Sequence, residues 1–303
     1  MRSLAIGLVL PMGESFVDGS IARWAEIREL AVRAEALGFD TVWIADELLW
    51  RPPEGETHGW WECVAMTGAV AAATSRIKVG TWVLSALHRN PGITAKAAET
   101  IDEISGGRFV LGLGSGHAGS QAHAFGLPED RVFGRFAEAV EIIVPLLRQG
   151  HADFEGAFHA ARDLEHRPVG PRPGRIPIMM GAKGPKMLQL AVRHADTWSW
   201  YVEERSDLTE FGPRLETLLA ACDEAGRDSA TIGRSAGIVV EPTSVTGAAD
   251  LLGEPVRGTS EQIADSIRAF GAAGFTQLEV ILWPPTLAAL EAMAPVIELL
   301  DGD

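Results

Sequence analysis

The chain of 303 residues reads as an α/β protein, and more closely as a closed (β/α)8 barrel. Three observations carry that reading. Apolar runs of strand length recur along the sequence, amphipathic helical stretches separate them, and the pair repeats eight times. A near-continuous apolar strand belongs in a parallel sheet covered by helices, and barrels of eight such units typically need roughly 250 residues. No Pro/Gly/Ser-rich linker divides the sequence, so residues 1–303 are expected to form a single domain.

The elements follow in order. LAIGLVL (4–10) is a strand, and IARWAEIRELAVRAEALG then places Trp24, Ile27, Leu30, Ala34 and Leu37 at helical spacing, with Gly38 as the stop. The same unit recurs as FDTVWIAD (39–46) with a helix near 60–74, and IKVGTWVLSA (77–86) with a helix over 91–105. RFVLGLG (108–114) precedes RFAEAVEIIVPLLRQG, where Phe136, Val140, Ile143 and Leu147 share a face. IPIMMGA (176–182) leads to a helix over 185–194, and ADTWSWYV (195–202) to one over 206–225. TIGRSAGIVVE (231–241) is followed by a helix over 260–273, where Thr259 and Gln262 have capping-box spacing. TQLEVILW (276–283) and a helix over 285–300 complete the eight. Residues 151–175, rich in Pro, Gly and charge, are expected to be an irregular insertion loop after the fourth helix, beside the mouth of the active site. His159 and His166 within it are expected to be solvated.

A net charge of −15 and a pI near 5.0 repel phosphate backbones, and no Lys/Arg cluster offers a nucleic-acid patch. The apolar runs fall well short of membrane-spanning length. The expected partner is therefore a small-molecule substrate, with no nucleic acid and no membrane. MRSLAIGLVLPMGES lacks a small-residue cleavage site, and Cys63 and Cys222 form no CxxC pair, so a cytoplasmic protein with buried thiols is expected.

In a parallel barrel the chemistry sits at the carboxyl ends of the strands. Here those ends carry Asp46, Glu47 and Trp50, then Trp82 and His88, then Gly114, Gly116 and His117, then Trp198 and Trp200, then Trp283. Several tryptophans at one end suit a pocket for a flat conjugated ring, although each taken alone fits a core position. Residues 114–119, Gly-Ser-Gly-His-Ala-Gly, match G-x-G-x-x-G, but SQAHAFGLPEDRVFG intervenes before the next helix, so a Rossmann site is disfavoured. GAKGPKMLQLA (181–191) is the better anion site: Gly181 and Gly184 bare their backbone N–H groups, Pro185 suits a first helical turn, and Lys183 and Lys186 add charge. Ser199 offers a hydroxyl to the same anion. There is no G-x-S-x-G elbow, H-E-x-x-H or P-loop, and no familiar metal-ligand spacing.

Together these stretches resemble the luciferase-like monooxygenase superfamily, barrel enzymes that use FMN or the deazaflavin coenzyme F420. The resemblance runs through AEALGFDTVWIADE, SRIKVGTWVLSALHRNPGITAKAAETIDEISGGRFVLGLGSGH, FGRFAEAVEIIVPLL, IPIMMGAKGPKMLQLAVRHADTWS and VRGTSEQIADSIRAFGAAGFTQLEVIL. Its form is closer to the F420 branch. It implies an oxidoreductase moving a hydride between coenzyme F420 and a small organic substrate. The alternatives are an FMN-dependent two-component monooxygenase served by a separate flavin reductase, and a non-catalytic luciferase-like flavin-binding protein. A homodimer is also implied, and the apolar stretch ECVAMTGAVAAA (62–73) is compatible with it.

By the same resemblance, Gly80-Thr81-Trp82-Val83 matches a segment that carries a bulge, often with a non-proline cis peptide, behind the central ring of the cofactor. Asp46 matches a position facing that ring. The residue after it is often His in the deazaflavin dehydrogenases and is Glu47 here, while the frequently acidic position after Gly-x-Gly is His117. The cofactor-binding candidates are then Asp46, Thr81, Trp82 and Val83 from the resemblance, joined by Gly114, Gly116, Gly181, Ala182, Lys183, Gly184 and Ser199 from the residues read above. His117, because an imidazole can both give and take a proton, and then Glu47 are the catalytic candidates. Arg51, His88, Arg89, Lys183 and Lys186 are expected to offset the negative charge of the protein toward an acidic cofactor tail.

Overall fold

The computed structural model describes residues 2, 4–16, 18–52, 54–242 and 253–302. Eight parallel strands lie where the apolar runs predict them: β1 (Ala5–Val9), β2 (Thr41–Ile44), β3 (Lys78–Thr81), β4 (Phe109–Gly114), β5 (Ile178–Gly181), β6 (Thr197–Tyr201), β7 (Gly233–Glu241) and β8 (Gln277–Leu282). The helices between them are α1 (Trp24–Leu37), α2 (Cys63–Ala73), α3 (Pro91–Ser105), α4 (Val132–Gln149), α5 (Pro185–His194), α6 (Leu208–Glu224) and α7 (Ser260–Ala272). Local chemistry sets their ends. Gly38 closes α1 in the left-handed region, the Asn90 side chain caps α3 ahead of Pro91, and Thr259 and Gln262 form the capping box that their spacing predicts. Among the described residues no helix is long and apolar enough to cross a membrane.

The chain gathers into two compact units. The first holds residues 1–11, 22–43 and 182–303, and its strands run in the order β6-β7-β8-β1-β2. Phe211, Phe270 and Phe275 pack edge to face in its core, with centroids 5.4 to 6.1 Å apart. Gly7 of β1 is small because the Trp43 indole stands beside it: a Cβ at Gly7 would lie 2.2 Å from the indole nitrogen. On β8, Glu279 pairs in register with Gly7 on one side and Gly237 on the other, and it is fully buried. Its carboxyl meets the Ser235 hydroxyl and the Gln277 amide. Burial pushes its pKa up to about 7, against the pull of both bonds.

The second unit holds residues 12–21 and 44–181, with β4 between β3 and β5. β3 stops at Thr81, and its line resumes as Leu84–Ser85, which pairs with Leu113 and Gly114. The peptide between Trp82 and Val83 is cis, in the segment where the resemblance implies one. Across the interruption the Thr81 hydroxyl substitutes for the ladder, donating to the Gly112 carbonyl at 2.8 Å and accepting from its N–H at 3.0 Å. The close approach explains the alternating glycines of β4 and the turn after it. A Cβ on Gly112 would lie 2.0 Å from the Thr81 carbonyl oxygen, one on Gly114 2.5 Å from Val83, and one on Gly116 2.2 Å from the Ser85 hydroxyl.

Three elements differ from expectation. Residues 151–175 are not irregular throughout: His151–Glu155 and Ala160–Glu165 form an antiparallel hairpin, with Ala152 and Ala161 buried. Its turn lies on α4, where the Glu138 carboxylate accepts from the N–H groups of Ala157, Phe158 and His159 and the Arg135 guanidinium stacks over Phe158. His166 beyond the hairpin is buried, not solvated, with Nε2 3.3 Å from Glu99 of α3, and His159 is only partly exposed. SQAHAF (120–125) is a short helix that ends at Gly126 in the left-handed region. The last predicted helix is two, Leu287–Ala292 and Ala294–Asp301. Pro295, with no N–H to donate, sits in the first turn of the second, where none is required.

Three outcomes follow. Gly112→Ala should lower unfolding stability by about 2 kcal/mol or more, because backbone must move to admit the methyl. Gly68→Ala, in α2 with open space around it, should gain about 1 kcal/mol in the same denaturant titration. For Glu279, the folded pKa lies above the ordinary 4.5, so the folded state binds the extra proton between those values and stability falls as pH rises through that window. Relative to Glu279→Gln, the native protein should therefore lose on the order of 3 kcal/mol between pH 4.5 and 8. A pH-independent difference in unfolding midpoints would count against this.

Candidate active site

In the second unit, Asp46 lies two residues past the end of β2, and its side chain is wholly buried. Its oxygens accept from the Ser85 N–H at 2.8 Å and from both terminal nitrogens of Arg89 at 2.5 and 3.0 Å, while His88 Nδ1 lies 3.4 Å away. Arg89 reaches on to Glu62, whose side chain caps α2. Burial disfavours the charged carboxylate, but His88 and the forked bond from Arg89 outweigh it and hold the Asp46 carboxyl below its usual range. Asp46 thus anchors the segment that follows β3. Two buried atoms of that segment, Ser85 Oγ and His88 Nε2, have no hydrogen-bond partner among the described residues.

Beside this anchor lie Glu47 and His117. The His117 side chain is 58% exposed, with Nε2 3.7 Å from Glu47 Oε2. Gln121, in the short helix, is buried and touches both: its amide nitrogen donates to Glu47 Oε2 at 2.5 Å and stands 3.2 Å from His117 Nε2. Burial pushes the Glu47 carboxyl up, opposed by the proximity of His117 and the bond from Gln121. The structure therefore brings the two catalytic candidates together. Gln121 escaped the sequence reading because Gly126 and Pro128 mark its neighbourhood as a loop, hiding a helix of six residues.

In the first unit, Ala182 donates its N–H to the Ser199 carbonyl, and Gly184 begins α5 with open space around it. α5 has no side-chain cap, so its first-turn N–H groups lack that partner. Lys183 lies 3.5 Å from the Tyr201 ring centre and is paired with Glu203, and Arg214 lies 3.5 Å from the same carboxylate while covering Trp200. This corrects the expected anion-facing cluster. Lys183 is committed to Glu203, Arg89 and His88 are turned onto Asp46, and Arg51 bonds Thr57, because each has an acidic or polar neighbour within reach. Trp43 and Trp198 are buried core residues, the latter bonded to the Ala182 carbonyl. Trp82 is partly exposed beside the cis peptide.

Known proteins resemble the chain in sequence and in fold. It is 36% identical over 174 residues to the 5,10-methylenetetrahydromethanopterin reductase of Archaeoglobus fulgidus, a match covering 57% of this chain and 48% of that one. It is 34% identical over 232 residues to the F420-dependent glucose-6-phosphate dehydrogenase of Kineococcus radiotolerans, covering 73% and 64%. These matches span about half to just under two thirds of the curated relatives. A solved F420-dependent secondary alcohol dehydrogenase, in complex with an F420–acetone adduct, superposes with a TM-score of 0.80 at 19% identity over 99% of each chain. The fold is the (β/α)8 barrel. With residues 5–257 matching its family model, the chain belongs to the luciferase-like monooxygenase family.

Proposed function

We propose that the chain is a coenzyme F420-dependent oxidoreductase that moves a hydride between the deazaflavin ring and a small organic substrate. The observation that carries this reading is the end of β3. There the segment from Thr81 to Val83 lies against Gly112 and Gly114, and the buried Ser85 Oγ and His88 Nε2, unpartnered among the described residues, are left for a polar partner, at the place where the resemblance sets the central ring. The names of the relatives favour F420 over FMN.

The residues fit such a group. Thr81, Trp82, Val83, Gly114, Gly116 and Gly181 would hold the ring, with Asp46 acting through Ser85 and Arg89. Ala182, Gly184 and Ser199 would hold the anionic tail, joined by Lys183 on leaving Glu203. When bound, F420 supplies the carbon that gives or accepts hydride. The chain's part is the proton: His117 exchanges it with the substrate, and the half-buried Glu47 carboxylate stabilises the charged ring. A homodimer in the cytoplasm completes the reading, the dimer supported by the apolar, partly exposed surface of α2 at Val64, Met66 and Ala69.

Titrating the purified protein with F420 and with FMN, followed by absorbance and fluorescence, tests the assignment. Saturable binding of F420 is expected, and binding of FMN alone would overturn it. His117→Ala should leave F420 affinity nearly unchanged and lower turnover by roughly 10²-fold or more. Glu203→Gln should tighten F420 binding several-fold at low salt by releasing Lys183, with the gain shrinking in 0.5 M salt.

A further inference from the structure

We propose that Gln121 is a positioning residue that sets the tautomer of His117, holding the neutral ring with Nε2 as acceptor and its proton on Nδ1. The inference rests on the reading of His117 as the residue that exchanges a proton with substrate.

The bonding of one buried amide decides the matter. Gln121 is 3% exposed, so its polar atoms must find partners in the protein. Its Oε1 accepts from the backbone N–H of Leu48 at 3.0 Å, the residue next to Glu47. An N–H can only donate, so this bond identifies the amide oxygen and leaves Nε2 on the other side. That nitrogen carries two hydrogens and no available lone pair. One goes to Glu47 Oε2 at 2.5 Å, and the other meets His117 Nε2 at 3.2 Å. His117 Nε2 must therefore accept, which places the proton of the neutral ring on Nδ1.

A free histidine in water prefers the opposite tautomer, so the arrangement is imposed rather than intrinsic. It has a consequence for the site. With 58% of the side chain exposed and Nε2 occupied from within, Nδ1–H is the donor His117 presents to a substrate oxygen. The ring can give its Nδ1 proton to substrate only as it gains one at Nε2, where the amide N–H has to withdraw and Glu47 Oε2, 3.7 Å away, becomes the partner of the cation. Gln121 and Glu47 are thus alternative partners of one nitrogen, the first for the neutral ring and the second for the cation.

Two-bond proton–nitrogen correlation spectra of ring-labelled protein without cofactor test this directly, with the His117 signals assigned by their loss in His117→Ala. At a pH where the ring is neutral, the native protein should show the Nδ1–H pattern. Gln121→Leu should return the ring to the Nε2–H form preferred in water. Glu47→Gln should keep the Nδ1–H pattern, because Leu48 still orients the Gln121 amide. An Nε2–H pattern in the native protein overturns the proposal without needing any variant. A pattern unchanged in Gln121→Leu, or shifted in Glu47→Gln, also overturns it. F420 titration of the same samples separates this result from the functional reading, since absent F420 binding removes that reading while the tautomer stands on its own.

Discussion

The backbone of β4 and the segment after β3 approach so closely that a single methyl group cannot stand between them. At Gly112 the added carbon would meet a carbonyl oxygen, which cannot rotate away as a side chain can. Much else follows from this contact. The Thr81 side chain is drawn in to bond both polar groups of Gly112, Val83 fills the space left by Gly114, and the Ser85 hydroxyl occupies the space left by Gly116. The glycines that look like an invitation to a ligand are first a requirement of the chain's own packing. Asp46 and Arg89 then fix the segment from its far side, so its position is set on both flanks.

The electrostatics of the site have a common pattern in an acidic chain. Nearly every buried carboxylate has been given a partner: Asp46 has Arg89, Glu99 has His166, and Asp102 has Arg172. An unpaired buried charge is costly, so these pairs are a condition of burial more than a source of stability. Basic residues that seem free in the sequence are consumed by this demand. Among the described residues Glu279 is the exception, buried with neutral partners only, and its raised pKa is the expected response. At the strand ends, His117 stays more than half exposed beside Glu47, which gives it access to a substrate as well as an internal partner.

Legibility differed by element for physical reasons. The eight units were readable because a strand buried on both faces and a helix buried on one leave unmistakable apolar periods. The turn at 181–185 was readable from Gly184 and Pro185, whose backbone constraints are local. The hairpin at 151–165 was not, since its short strands bury little more than Ala152 and Ala161, and its turn is held by Glu138, 20 positions before Phe158 on the preceding helix. The short helix carrying Gln121 was missed because its breakers follow within a few residues. The burial of His166 was invisible for a similar reason, since Glu99 lies 67 positions earlier in the chain.

By itself the sequence determined the alternation of strands and helices, the family, and the residue types gathered at the strand ends. These depend on local periodicity and short-range backbone preference, both of which are written in consecutive residues. The tertiary structure alone decided which charges are already paired, why β4 must carry glycine, and that Gln121 joins Glu47 to His117. Each of those is a contact between residues separated along the chain, and it is set by the packing of whole elements against one another, which no short stretch of sequence encodes.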